Sequence, residues 1–353
     1  MRNGDKKGGA SSAKKTSKSS VAEFHDMLVL AQWARSFFDG EKFERLQAAL
    51  NKSELEGIDA ETGHTRFFLK MTGETLFNLN KVNLETFGKY DKNIVRHWAK
   101  ITKRRNESGE RVEMKYYQYL SLLVTELYLD WYFNRKAELV REVSERIDAY
   151  NSEHRGGKIA AFEEADLNKI AFWEATGAGK TFLMHVNILQ YLEYAGRSRA
   201  PDRIIVLTPY EGLSKQHVKD LTLSGFAADL MSENSLFEQG REGAVSVVDS
   251  HKLISDKKGA RKKGEKSFMA ESFEGNNLVL VDEGHHGKQD GSEHRRTRDQ
   301  LCRDGFSFEY SATFGQAVAE NGRFEHVYET TAGCTVSCHC GPHTLGVLFI
   351  RTK

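Results

Sequence analysis

The chain has 353 residues, and its 51 Lys and Arg are balanced by 50 Asp and Glu, so the net charge of +1 gives no argument for nucleic acid. This length allows two domains with hydrophobic cores of their own. The sequence has no apolar run of about 18 residues, no apolar segment typical of a signal peptide at its start, and too few cysteines for a disulfide framework. We therefore expect a cytoplasmic protein without a membrane span.

The N-terminal part is predicted to be a disordered arm followed by helices. Residues 1–20 are rich in Lys, Ser and Gly and cannot bury a core, which predicts a disordered basic arm. Apolar residues then recur at helical spacing, which predicts a mainly helical region over 21–155. The predicted helices include 84–105, 117–133 and 135–150, of which the second is apolar nearly all round and so expected to be buried.

The pattern changes after Gly156 and Gly157, where short apolar runs begin to alternate with helical stretches. This alternation predicts an α/β domain over 156–330 with a parallel sheet and helices on both faces. Ligands of such sheets bind at the carboxyl ends of the strands. The predicted strands are 170–174, 204–207, 245–248, 278–281 and 306–310, and the predicted helix after the first of them is 180–194.

A phosphate-binding loop is predicted at residues 175–181. Glycines without a Cβ allow backbone N–H groups to close around phosphate oxygens, and the following helix directs its positive end at the same anion. Lys180 is expected to reach the β- and γ-phosphates, and the Thr181 hydroxyl to ligate Mg²⁺. Glu174 stands where the general pattern has its first glycine. The predicted ATP-binding residues of the loop are Thr176, Gly177, Ala178, Gly179, Lys180 and Thr181.

Two carboxylates follow the apolar run 278–281. Asp282 is expected to hold Mg²⁺ in the Walker B manner, and Glu283 to orient or deprotonate the attacking water. About thirty residues further along, Ser311-Ala312-Thr313 follows another predicted strand. The three motifs in this order predict nucleotide triphosphate binding, with hydrolysis coupled to movement along nucleic acid.

Together these motifs resemble the DExH branch of the superfamily 2 helicases and translocases. Asp282-Glu283-Gly284-His285 matches D-E-x-H at every fixed place. Within that branch the chain looks most like the motor subunits of type I and type III restriction systems. The resemblance covers roughly residues 165–320. It implies a RecA-like P-loop NTPase domain with ATP and Mg²⁺ as cofactors, in which Lys180, Glu283 and His285 are catalytic.

The resemblance also implies a nucleic-acid site. Thr208 and Pro209 resemble the T-P motif whose loop contacts the nucleic-acid backbone. Ser311 and Thr313 belong to the S-A-T motif, which in the family links the nucleotide state to nucleic-acid binding.

A glutamine near the start of a helix is a candidate for adenine recognition. In many superfamily 2 motors an aromatic residue and a Gln before the P-loop read the adenine edge, and an amide can donate and accept there. Gln118 heads the predicted helix 117–133, but it lies about sixty residues before Lys180, farther than usual. The inserted helix 135–150 would account for the excess. The alternative is a helix-start Gln that contacts only solvent.

The partners implied by the resemblance are nucleic acid, with DNA favoured over RNA, and methyltransferase or nuclease subunits. Superfamily 2 motors have two RecA-like domains, and the second supplies an arginine finger. This chain ends just after the first, so we expect the second in trans or in an uninterrupted parent chain. The arginines nearest to Glu283 in sequence, Arg295, Arg296 and Arg298, are expected to form a solvated face.

The last residues, 331–353, are predicted to be an irregular tail in which Cys, His and Gly dominate, as in a truncated or frameshifted end. A zinc site is a weaker interpretation, because the spacing of its potential ligands is irregular. These ligands are Cys334, Cys338, His339, Cys340 and His343.

We predict that the chain is the ATP-binding first motor domain of a DNA or RNA helicase or translocase from a restriction or defence system. One alternative is a nucleotide- and nucleic-acid-binding fragment without significant turnover. The other is a P-loop regulatory ATPase unrelated to nucleic acid.

Overall fold

A computed structural model describes residues 28–38, 43–153, 159, 161–231, 243–254, 268–283, 293–312 and 346–347. The predicted basic arm, nearly all of the predicted tail and the zinc-ligand candidates lie outside these ranges. Within them, no helix is both long enough and apolar enough to cross a membrane.

The N-terminal region is mainly helical, as predicted. The helix that starts at Arg66 was not foreseen; the Thr65 hydroxyl caps it by accepting from the backbone N–H of Phe68 at 3.0 Å. The helices are α1 (Val29–Arg35), α2 (Phe43–Leu50), α3 (Arg66–Gly73), α4 (Leu84–Glu107), α5 (Tyr116–Asn134) and α6 (Lys136–Glu153).

The α/β part begins with β1 and contains every strand that the sequence predicts. Two helices and the short strands β3, β5, β6 and β9 were not predicted. The strands are β1 (Lys169–Trp173), β2 (Arg203–Thr208), β3 (Ala228–Leu230), β4 (Val245–Asp249), β5 (Leu253–Ile254), β6 (Phe268–Met269), β7 (Asn277–Asp282), β8 (Phe306–Ser311) and β9 (Gly346–Val347), and the helices are α7 (Lys180–Ala195), α8 (Glu211–Leu223) and α9 (Glu293–Leu301).

Six of these strands form a parallel sheet in the order β3-β4-β2-β7-β8-β1, and β9 adds to its β1 edge in the antiparallel direction. The period of two in each strand divides the apolar side chains between two cores. Leu278 and Leu280 of β7 face the core that contains α7 and the N-terminal helices. Val279 and Val281 face a smaller core on the opposite side, with Leu301 of α9. Helices therefore cover both faces, as predicted.

The N-terminal helices share the larger core with the sheet. Leu123 and Leu127 of α5 belong to the same cluster of buried residues as Val186 of α7 and Phe308 of β8. The division predicted between residues 155 and 156 is therefore crossed by a continuous hydrophobic core.

A buried carboxylate joins α5 to its neighbours. Glu126 is fully buried and accepts from Gln190 Nε2 and Tyr194 Oη of α7, both at 2.7 Å, and from Asn93 Nδ2 of α4 at 3.2 Å. Burial raises the pKa of Glu126 from 4.5 to about 7, although these three hydrogen bonds lower it. The contact fixes the P-loop helix to the N-terminal helices through a carboxyl group whose burial favours the neutral form.

This pKa shift predicts a pH-dependent stability. The neutral form is favoured in the folded chain, so the stabilisation from protonated Glu126 is complete below about pH 4.5 and is lost as the pH rises through about 7. Relative to Glu126→Gln, the wild type should lose at most ~3 kcal/mol of unfolding free energy over that interval. Urea unfolding at pH 5 and pH 8 measures the difference. Glu145→Gln, a change at an exposed position of α6, is the control; equal pH dependence in all three proteins would contradict the assignment.

Candidate nucleotide-binding site

The sequence motifs meet at one edge of the sheet. The strands that end in them are neighbours, in the order β2, β7, β8 and β1. In the register of the ladders, Asp282 lies beside Tyr310, and Ser311 lies beside Trp173 at the start of the P-loop. A parallel sheet brings all these carboxyl ends to the same side, so the predicted metal, phosphate and coupling residues share one edge.

The backbone of the phosphate loop adopts positive φ at its two glycines, as glycines in such a loop predict. Gly177 and Gly179 have φ of +81° and +86°, a region that residues with a Cβ rarely adopt. Helix α7 begins at Lys180, directly after the loop. Its first-turn N–H groups and its positive end therefore face this edge, as an anion site requires.

Glu174 replaces the first glycine of the general pattern. The loop tolerates this change because the backbone at position 174 does not have the positive φ that would require a glycine. Among the described residues only Thr75 and Glu283 have positive φ without being glycine. The backbone N–H of Glu174 donates to the carbonyl of Ser311 at 3.0 Å, and its carboxyl accepts from Ser121 Oγ at 3.1 Å. Burial raises the pKa of Glu174 to about 7, although the nearby positive charge of Lys180 lowers it.

Lys180 and the predicted catalytic carboxylate are in contact. Nζ of Lys180 lies 3.2 Å from Oε1 of Glu283, and the Lys180 side chain is 13% exposed. Glu283 has φ of +52°, a strained conformation for a residue with a Cβ. Such strain is common at functional sites, and here the residue that carries it contacts Lys180, which directly follows the loop.

Asp282 has a partner that the sequence did not reveal. His217 of α8 places Nε2 2.9 Å from Oδ2 of Asp282, while Oδ1 accepts from the backbone N–H of Glu283 at 3.0 Å. An ionised carboxylate has about four acceptor positions, so lone pairs remain on both oxygens. The His217 contact had no sequence signal, because it depends on where α8 packs.

Gln118 contacts the P-loop itself. Its Nε2 donates to the carbonyl of Ala178 at 2.9 Å, and its Oε1 accepts from the backbone N–H of Lys115 at 2.9 Å. The residue is 6% exposed, so the solvent-contact alternative is wrong. Adenine recognition stays a prediction, for which the amide has one donor and one lone pair left.

The predicted nucleic-acid residues divide into buried and exposed ones. Thr208 is 1% exposed and its Oγ1 lies 2.6 Å from Ser214 Oγ, so its side chain is an internal group, and its role toward nucleic acid stays a prediction. The surface at this strand end is formed by the partly exposed Pro209 and by Tyr210, which is 58% exposed.

The S-A-T segment is tied to the strand that carries the P-loop. Ser311 is fully buried, and the indole N–H of Trp173 donates to the carbonyl of Ala312 at 3.0 Å. Ser311 therefore touches the P-loop strand and not the surface, which suits a coupling role. Thr313 and His285 lie outside the described residues.

The expectation of a solvated arginine face is wrong for Arg298. Its guanidinium lies 3.3 Å from Oε2 of the buried Glu309, and its side chain is 17% exposed. The Glu309 carboxylate raises the pKa of Arg298 and ties the arginine to β8. The side chains of Arg295 and Arg296 are outside the described part of the chain.

The residues at this edge fit a magnesium-bound triphosphate. The loop offers backbone N–H groups and the Lys180 ammonium for phosphate oxygens. The Thr181 hydroxyl and the lone pairs of Asp282 are oxygen donors, the kind that Mg²⁺ prefers.

The two loop glycines predict a graded response to alanine. Each substitution places a Cβ at positive φ, which costs roughly 1–2 kcal/mol. At Gly177 that Cβ would meet nothing within 4 Å, whereas at Gly179 it would overlap with Gln118 Nε2. Gly179→Ala should therefore weaken ATP binding more than Gly177→Ala, as titration would measure. In a Gln118→Ala background, which removes this contact, the two glycine substitutions should weaken ATP binding to a similar extent, and equal affinities of both single variants in the wild-type background would contradict the packing.

Comparison with known proteins agrees with this arrangement. The family model described as "Type III restriction enzyme, res subunit" matches residues 133–316, more than half of the 353. No curated protein matches the sequence.

Solved structures give weaker likenesses. The Sulfolobus solfataricus SWI2/SNF2 ATPase core in complex with dsDNA has 14% identity and a TM-score of 0.28, over 41% of this chain and 27% of that one. A variant of S. cerevisiae Dbp5 bound to RNA and ADP BeF3 has 19% identity and a TM-score of 0.27, over 44% of this chain and 39% of that one. The chain thus spans less than half the length of either.

Proposed function

The chain belongs to the family of type III restriction enzyme res subunits and carries a superfamily 2 helicase-type ATPase domain, and from that premise we propose that it binds Mg–ATP and couples ATP hydrolysis to movement along nucleic acid. The observation that carries the proposal is the meeting of the P-loop, Asp282-Glu283 and Ser311 on three adjacent strand ends. We further propose a role in a restriction or defence system, with DNA favoured over RNA. Methyltransferase or nuclease subunits are the proposed companions.

In the proposed reaction the chain's residues bind the phosphates and the metal, orient the attacking water and accept its proton. The N–H groups of 176–181 and the Lys180 ammonium hold the phosphates, and Thr181 and Asp282 hold Mg²⁺. The metal, when bound, neutralises charge that develops on the phosphate oxygens. Glu283, beside Lys180 at 3.2 Å, orients the attacking water and accepts its proton.

Coupling to nucleic acid is proposed through contacts that join the strand ends. Ser311 accepts at its backbone carbonyl from Glu174 at the base of the P-loop. Thr208 bonds Ser214 of α8, the helix that also carries His217 beside Asp282. A shift of the loop at Pro209 and Tyr210 upon nucleic-acid contact would therefore act on the metal carboxylate through α8.

The proposal is tested by steady-state ATP hydrolysis at one fixed salt concentration, without nucleic acid and with single- or double-stranded DNA or RNA. We expect stimulation, larger with DNA, and no activity in Lys180→Ala under any condition. ATP binding without turnover would support the alternative of a binding fragment. Turnover that no nucleic acid changes would contradict the motor and favour the regulatory ATPase.

A further inference from the structure

His217 is buried against the predicted metal ligand. The residue is 3% exposed, and its Nε2 donates to Asp282 Oδ2 at 2.9 Å. The other oxygen of Asp282 accepts from the N–H of Glu283. The carboxylate is thus fixed at both oxygens, once by a helix and once by the backbone of the next residue.

Helix α8, which carries His217, is anchored to the rest of the protein at both of its ends. Near its start, Ser214 bonds Thr208 at 2.6 Å. At its end, Arg105 of α4 donates to Ser224 Oγ at 3.0 Å and lies 3.7 Å from Asp220. The imidazole is therefore positioned by a helix anchored on two sides, which restricts the rotation of the carboxylate that it contacts.

Fixed orientation matters for a carboxylate that holds a cation. Groups that hydrogen-bond a metal ligand set its direction, and their loss typically weakens metal affinity by about 10–100-fold. We propose that His217 is a positioning residue that holds Asp282 in the orientation needed for the divalent cation of a bound nucleotide, and that it connects this carboxylate to the helix after Thr208 and Pro209. This inference rests on the proposed Mg–ATP site.

A pair of amide variants tests the proposal. Gln at position 217 can place an N–H near the position of Nε2, whereas Asn is too short to reach Asp282. His185→Asn is the matched control, because His185 is also a buried histidine, lies on α7 and contacts Ser224 Oγ at 2.9 Å. The probe is Mn²⁺, whose free concentration is measured by electron paramagnetic resonance in the presence of ADP, and metal-free ADP binding is measured separately.

We expect His217→Asn to weaken Mn²⁺ binding to the ADP complex at least ~10-fold, with metal-free ADP affinity unchanged. His217→Gln should recover most of the Mn²⁺ affinity, and His185→Asn should keep it. Wild-type Mn²⁺ affinity in His217→Asn would overturn the positioning role, as would an equal loss in both variants of His217. If the folded wild type binds no Mn–ADP, the proposed function itself has failed, an outcome distinct from unequal binding among the variants.

Discussion

Glu283→Gln is expected to leave Mg–ATP binding intact and to lower ATP turnover by about 10²–10⁴-fold, the usual contribution of a general base. Glutamine keeps the shape of the side chain and an oxygen that can accept from Lys180, which lies 3.2 Å from Oε1 of Glu283. It loses the group that accepts the proton of water. The measurement is single-turnover hydrolysis together with ATP titration.

Glu271→Gln, at an exposed position, is the control for this change and should behave as the wild type. Wild-type turnover in Glu283→Gln would show that Glu283 is a structural partner of Lys180. In that case the positive φ of Glu283 would serve the Lys180 contact alone.

Supplying an arginine from a second RecA-like domain is expected to raise turnover by about 10³–10⁵-fold, the value of an arginine finger in P-loop enzymes. The arginine nearest in sequence to Glu283 with a described side chain, Arg298, is held by Glu309 at 3.3 Å and is not free to reach a phosphate. The measurement compares hydrolysis by this chain with and without a second RecA-like domain of the same family.

The matched control for that comparison is the second domain with its nucleotide-facing arginine replaced by alanine. It should bind equally well and fail to stimulate. If this chain alone is already as fast as the pair, the arginine acts in cis, and Arg298→Ala then asks whether it is Arg298.

The fold was predictable where burial follows a simple period. The strand 278–281 is a continuous apolar run, and 306–310 alternates aromatic with polar residues; the observed bounds of both differ from the predicted ones by one residue at most ends. Helix α8 was missed because the face that it buries consists of Ser214, His217 and Leu221, two of which are polar. Helix α9 was missed because only Leu301 in it is strongly apolar.

Only those residues of the site that lie within the motifs could be predicted from the sequence. Residues 175–181 and 282–283 are defined by local chemistry, since phosphate and metal require fixed residue types at fixed spacing. The contacts of Gln118 with the P-loop and of His217 with Asp282 join residues 60 and 65 positions apart. Such pairs depend on how helices pack on the sheet. A single sequence contains no periodic pattern from which that packing could be predicted.

Calorimetric titration of Mg–ATP into the purified chain tests the central claim most directly. We predict saturable binding to the wild type, and loss of binding in Lys180→Ala, which removes the loop's cation, and in Asp282→Ala, which removes the metal carboxylate, with both variants still folded by circular dichroism. Failure of the folded wild type to bind Mg–ATP, or unchanged affinity in both variants, would contradict the assignment of this sheet edge as the nucleotide site.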